Sequence, residues 1–135
     1  MPRILLDTNI LISGLLYAGK PRKLIEMAMA GRIEIVSSIE MINELREVLS
    51  REKFGLGIEQ QTKLVDFIVR LSHMVVLKSN FRVVSDPDDD MIINTAYDSN
   101  AKYIVSGDHH LLDLGEFKGI RIITASKMLQ LLNEK

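Results

Sequence analysis

The chain has 135 residues, 47% of them apolar and 26% charged, with a net charge of −1 and no cysteine. That length encloses one apolar core, and the composition excludes a disordered or low-complexity chain. The missing thiols exclude disulfides and thiolate metal sites, which fits a reducing cytoplasm and leaves oxygen or histidine to bind any metal.

Other classes are disfavoured as well. There is no run of 18 apolar residues and no basic leader before "MPRILLDTNILISGLLYAG", so we expect a cytoplasmic chain that is neither secreted nor membrane-spanning. One domain over residues 1–135 is expected. The near-neutral charge predicts no broad attraction to nucleic acid. The basic groups at Lys20, Arg22 and Lys23, at Arg46, Arg51 and Lys53, and at Lys118 and Arg121 read as solvated helix faces and ends.

From the amino terminus, "RILL" (3–6) is a short continuous apolar run, as expected of a strand buried on both faces, and helical patterns follow over 9–17 and 21–30. Pro21 suits a first helical position and Gly31 the residue after the helix end. Strand "IEIV" (33–36) leads into a helix over 38–51 capped by Ser37 or Ser38, and a further helix covers 58–72. Strand "MVVL" (74–77), a helix over 87–100 and strand "YIVS" (103–106) come next. A helical turn at 108–113, strand "RIIT" (121–124) and a helix over 126–134 capped by Ser126 close the series. This βαβ rhythm predicts a three-layer α/β/α fold with a central parallel sheet of about five strands.

In such sheets, ligands collect where loops leave the carboxyl ends of the strands. Asp7 directly follows the first strand, and Asp108 follows the fourth after a single glycine. Thr8 and Asn9 are equally good helix caps, which leaves Asp7 free to face the crevice. For Asp108 two readings stand side by side: an acid of the crevice, or the cap of a helical turn with exposed His109 and His110.

"SDPDDDMIINTA" (85–96) concentrates four aspartates at the start of a helix. A calcium loop is excluded, because its sixth and twelfth positions require glycine and glutamate and hold Met91 and Tyr97. Asp86 and Pro87 read as N-cap and first helical residue, with the following acids favoured by the helix dipole. At about 100° per residue, Ile92, Ile93, Ala96 and Asn100 share a stripe with Asp89, while Asp88 and Asp90 fall to either side in solvent. An acid on a buried stripe is costly without a compensating cation, so Asp89 is singled out. In "SSIEMINELREVLSREKF", Glu44 borders the apolar stripe and can reach a cleft, or it is simply a solvated helix residue; Glu40 and Glu47 point away.

"LLDTNILISGLL", "NELREVL", "DPDDDMIINTAYDSNAKYIVSGDHHLL" and "IRIITASKMLQLL" together resemble the PIN-domain family, in the branch related to VapC toxins of toxin–antitoxin pairs. The likeness covers nearly the whole chain, and its specificity lies in the order and spacing of the motifs. It implies that Asp7, Glu44, Asp89 and Asp108 are the family's site acids, with Asp86, Asp88 and Asp90 as neighbours of the third and Glu40 as a competitor of Glu44. It also implies a ribonuclease acting on single-stranded RNA, a homodimer and an antitoxin protein partner. Clustered carboxylates without histidine or cysteine suit Mg²⁺ or Mn²⁺, with Asp7, Asp89 and Asp108 as direct or water-mediated ligands and Glu44 as a ligand or as the group orienting water. The strand-end hydroxyls of Thr8 and Ser106 could hydrogen-bond a carboxylate or water, but such hydroxyls more often satisfy local backbone, and that reading is preferred.

Two rivals are carried. A PIN-like module that binds RNA or peptide without cutting is countered by the presence of all four acids. A phosphoryl-accepting domain of the haloacid-dehalogenase type needs an aspartate where Asn9 stands, and receiver domains arrange their acids differently.

Overall fold

The computed structural model describes residues 1–133. Strand β1 (Arg3–Leu6) is followed by helices α1 (Thr8–Leu16) and α2 (Lys20–Met29), then β2 (Glu34–Ser38) and α3 (Ile39–Leu49). A 3₁₀ turn (Glu52–Phe54) precedes α4 (Ile58–Leu71), β3 (His73–Val75) and α5 (Pro87–Asp98). The remaining elements are β4 (Tyr103–Val105), α6 (His109–Leu114), β5 (Glu116–Phe117), β6 (Ile120–Ile123) and α7 (Ala125–Asn133).

The sheet has six strands in the order β3-β2-β1-β4-β6-β5. Five run parallel, and the expected count of about five omitted β5, a two-residue strand antiparallel to β6. Alternation along the strands assigns the layers. Ile4 and Leu6 of β1 belong to one core with Leu11, Leu24, Leu45, Ile68 and Met128, while Leu5 belongs to the other with Ile92, Ile93, Ala96 and Leu111. Helices thus cover both faces, and the strands are apolar because neither face meets water.

Helix ends follow local chemistry. Gly31 adopts φ 75° after α2, and Pro21 lies in that helix's first turn. Ser38 caps α3 by accepting from Met41 N. The final helix is capped by Thr124, whose hydroxyl accepts from Lys127 N, and the expected cap Ser126 instead accepts from Lys20 Nζ at 2.7 Å. The expected end of that helix, residue 134, lies outside the described residues. Helix α5 stops at Asp98 where we expected it to reach Asn100, because Asn100 turns to a left-handed φ of 59°. That turn carries Asn100 off the buried stripe to the surface. Gly14 allows α1 and α2 to approach: a Cβ there would stand 2.6 Å from Ile25 Cδ1 and 3.1 Å from the Pro21 backbone.

One device was not expected. Residues 78–84 form no strand, and their amides are satisfied by side chains of α5 spaced four apart, which puts these on one face of the helix. Asp98 Oδ2 accepts from Lys78 N and Ser79 N, Asn94 Oδ1 accepts from Phe81 N at 2.8 Å, and Asp90 Oδ1 accepts from Val83 N and Val84 N. Asp90 is therefore a structural tether, not the freely solvated flank its spacing suggested. Phe81 packs edge-on to Tyr97 and Phe117, which pins this strap from its other side. Asn94→Ala leaves the Phe81 amide without its acceptor and is expected to lower stability by about 1–3 kcal/mol. Urea unfolding measures this, and an unchanged midpoint with full amide protection at Phe81 contradicts the tether.

Candidate active site

The chain runs from β1 out to β2 and β3 on one side, then crosses to β4 on the other. The loops after β1 and β4 therefore diverge, opening a crevice at the carboxyl edge of the sheet. Asp7 and Asp108 stand at that edge, Asp89 enters from the first turn of α5, and Glu44 comes from the middle of α3. These four acids line one open cleft of about 220 Å³, together with Asp86 and Asp88.

Each acid is fixed by a different local reason. Asp7 is buried, 4% exposed, and caps α1 through a 2.9 Å bond from Ile10 N. The expectation that Thr8 and Asn9 would relieve it of capping is wrong, since its two oxygens divide the work. Oδ1 caps the helix, while Oδ2 accepts the hydroxyl of Ser106. Thr8 in turn donates its hydroxyl to Glu44 Oε1. Asp108 caps α6 by accepting from His110 N at 2.9 Å, and its own amide donates to Ser106 Oγ at 3.0 Å. Both readings of Asp108 therefore hold geometrically: it caps a helix and lines the cleft.

Asp89 is 8% exposed, whereas Asp86 and Asp88 are exposed, as the helical phase predicts. Asp86 caps α5 through Asp88 N. Asp88 nevertheless forms part of the cleft wall. Glu40 lies outside the cleft, on a separate groove beside the strap, and the exposed His109 and His110 stack on each other without lining the cleft.

Burial, with repulsion from neighbouring acids, raises the affinity of Asp7, Glu44 and Asp89 for protons. Desolvation, reinforced by Asp108, Asp86 and Asp7, pushes the Asp89 carboxyl up to about 6. Burial likewise pushes Asp7 up against the hydrogen bonds from Ser106 and Ile10, and pushes Glu44 up against that from Thr8. Among the described residues none of the four forms an ion pair.

The donor set suits a hard divalent cation: it is all carboxylate oxygen, and a cation between the acids removes the repulsion that now raises them. Among the described residues, no three acids or histidines are drawn close enough to form a finished ligand cluster.

Thr8, Asn9, Val48, Arg51 and Ile92 complete the lining. The hydroxyls of Thr8 and Ser106 were visible in the sequence, but their partners lie 36 and 99 residues away, so their roles were not. Arg51 sat in a basic group that read as solvated, and nothing in the helical periodicity placed it at the cleft.

A mostly parallel sheet with a carboxylate-rich cleft at its switch point defines a class of α/β domain whose donor set suits a hard cation. Within that class the chain belongs to the PIN-domain family, which matches residues 3–110. Members of that family are generally nucleases. The chain is 28% identical over 116 residues to an uncharacterized protein, MJ1680, of Methanocaldococcus jannaschii, covering 83% of this chain and 74% of that relative. Among solved structures it is similar to a chain of VapBC2 from Rickettsia felis, a complex crystallised with a DNA fragment from their promoter. The TM-score is 0.63 at 15% identity, over 89% of this chain and 96% of that one.

Because the folded protein holds Asp89 protonated up to about pH 6, its proton must be lost at a cost the unfolded chain does not bear. In metal-free protein, stability is therefore expected to fall as pH rises from the ordinary value of 3.8 through about 6. Asp89→Asn should reduce this slope, leaving the part due to Asp7 and Glu44, and stabilise the metal-free protein at pH 8 by about 1–2 kcal/mol. Chemical unfolding at pH 4.5 and pH 8 tests it; equal gains at both pH values contradict the assignment.

Proposed function

We propose that the protein is a metal-dependent endoribonuclease that hydrolyses single-stranded RNA. The observation that carries this reading is the convergence of Asp7, Glu44, Asp89 and Asp108, from separate parts of the sequence, on one cleft of a PIN-domain chain. Mg²⁺ or Mn²⁺ bound there supplies the charge that activates an attacking water and offsets charge developing on the phosphoryl oxygens. Asp7, Asp89 and Asp108 hold that ion directly or through water. Glu44, half-buried and held by Thr8, serves as a further ligand or as the acceptor that orients the water. Ser106 fixes the rotamer of Asp7 and so keeps one of its oxygens aimed consistently.

The fold shared with a VapBC2 chain supports a wider setting, in which the protein is the toxin of a toxin–antitoxin pair and is held by an antitoxin protein; the homodimer that the family resemblance implies is part of the same proposal. The predominance of acids in the cleft favours hydrolysis over a purely binding role, because six carboxylates against one arginine repel nucleic-acid phosphates unless a cation intervenes.

Purified protein incubated with single-stranded RNA and Mn²⁺ is expected to cleave it, leaving 5′-phosphate and 3′-hydroxyl ends. Chelator should stop the reaction, and Asp7→Asn or Asp89→Asn should slow it by about a hundredfold or more. Asp113→Asn, on the exposed side of α6, is the control expected to change little. Ends carrying 2′,3′-cyclic phosphate would exclude water as the nucleophile, and cleavage surviving Asp89→Asn would falsify the proposed site.

A further inference from the structure

Six acids face the cleft and one basic side chain does, Arg51. We propose that Arg51 binds a phosphate of the RNA strand next to the one being cleaved; this rests on the ribonuclease reading and adds a substrate-binding residue to it.

The backbone of Arg51 is fixed while its guanidinium is not. Its amide donates to Val48 O at 3.1 Å, and its carbonyl accepts from Phe54 N at 3.1 Å, so the residue is clasped between the end of α3 and the 3₁₀ turn. The side chain is 54% exposed, and its nearest carboxylate partner is Glu47 Oε1 at 4.0 Å, itself 74% exposed. A pair that long and that wet is weak. Two arginines that are engaged show the contrast: Arg3 with Glu34 and the Ser99 carbonyl, and Arg22 with the carbonyls of Gly14 and Leu15, all between 2.7 and 3.0 Å. Among the described residues no hydrogen bond holds the Arg51 guanidinium.

A cation that ligates no metal and forms no close pair with the acids around it has another use. An RNA strand brings a phosphate on either side of the reacting one, spaced to reach beyond the acids. The planar guanidinium fork matches phosphate oxygens in a way a lysine does not. The acids alone repel such a strand, so a positive side chain rooted at the rim by its backbone, and free to turn toward a phosphate, determines where the strand can lie.

The test compares wild type, Arg51→Ala, Arg51→Gln and Arg51→Lys in Mn²⁺-dependent cleavage of a single-stranded RNA. Binding of the same labelled RNA is followed in Asp7→Asn protein, with and without Arg51→Ala, across a range of NaCl concentrations. Arg51→Ala and Arg51→Gln are expected to raise KM about tenfold with kcat changed by less than about threefold. In the Asp7→Asn background, Arg51→Ala should weaken binding similarly and reduce the slope of log affinity against log salt by about 0.7. Arg51→Lys should restore the slope but only part of the affinity. Unchanged KM and salt slope overturn the proposal. So does tighter Mn²⁺ binding with unchanged RNA affinity, which would make Arg51 a counter-ion to the acids. If wild type neither cleaves nor binds RNA, the ribonuclease reading fails and takes this assignment with it. If wild type cleaves RNA and the Arg51 variants match it, the phosphate assignment alone fails.

Discussion

The carboxylate of Asp7 accepts the Ile10 amide through one oxygen and the Ser106 hydroxyl through the other. Its backbone amide donates to Val105 O, and Ser106 N donates to Ile123 O, so the ends of β1, β4 and β6 are sewn together at this point. Ser106 Oγ also accepts from the Asp108 amide at 3.0 Å. One serine hydroxyl thus sets the distance between two like-charged acids that would otherwise move apart. Without this junction the loops after β1 and β4 would diverge freely, as the strand order requires, and the cleft would have no defined width.

The same device recurs on the other side. Ser38 ends β2, caps α3 and shares a hydrogen bond with Thr95 of α5 at 2.9 Å. The helix that carries Glu44 and the helix that carries Asp89 are therefore indexed to each other through two buried hydroxyls. Thr8 closes the circuit by holding Glu44 to the start of α1. Neutral hydroxyls suit this task because they donate to carboxylates without cancelling their charge. An arginine or lysine in the same places would neutralise the acids and compete with any metal. The strap along α5 adds a mechanical element: Asp90, Asn94 and Asp98 hold residues 78–84 against the face beside Asp89, so the helix start is supported on both sides.

Much of this is legible in the chain because burial writes a period into it. Strands buried on both faces appear as short apolar runs, and the helical phase by itself separates Asp89 from Asp88. What escapes is whatever depends on contacts distant in sequence. The strap leaves no period of its own in residues 78–84; its trace is the four-residue spacing of Asp90, Asn94 and Asp98, which looks like an ordinary polar helix face. Strand β5 is two residues long and exists only because β6 offers it a ladder. Asp7 was expected to choose between capping and facing the cleft, yet a carboxylate has two oxygens and here they separate the two roles. The helix expected over 38–51 ends at Leu49, so Arg51 leaves the helical phase that periodic reasoning assigned to it.

Net charge illustrates the same limit. An overall charge of −1 suggests a surface without preference for nucleic acid, but that value averages over a strongly segregated molecule. Among the described residues, six of seventeen acids and one of sixteen lysines and arginines line one cleft, leaving eleven acids against fifteen basic residues elsewhere. Outside the cleft the balance is therefore positive. At physiological salt, charges are screened over about 8 Å, so a polyanion passing over the surface responds to local balance and not to the total. On the proposed function, a cleft that repels phosphate until a cation enters, set in a surface that does not, would make the metal-loaded form the one a strand can approach. The acids would then act as a gate as well as a ligand set, and both properties would follow from the same clustering of like charges.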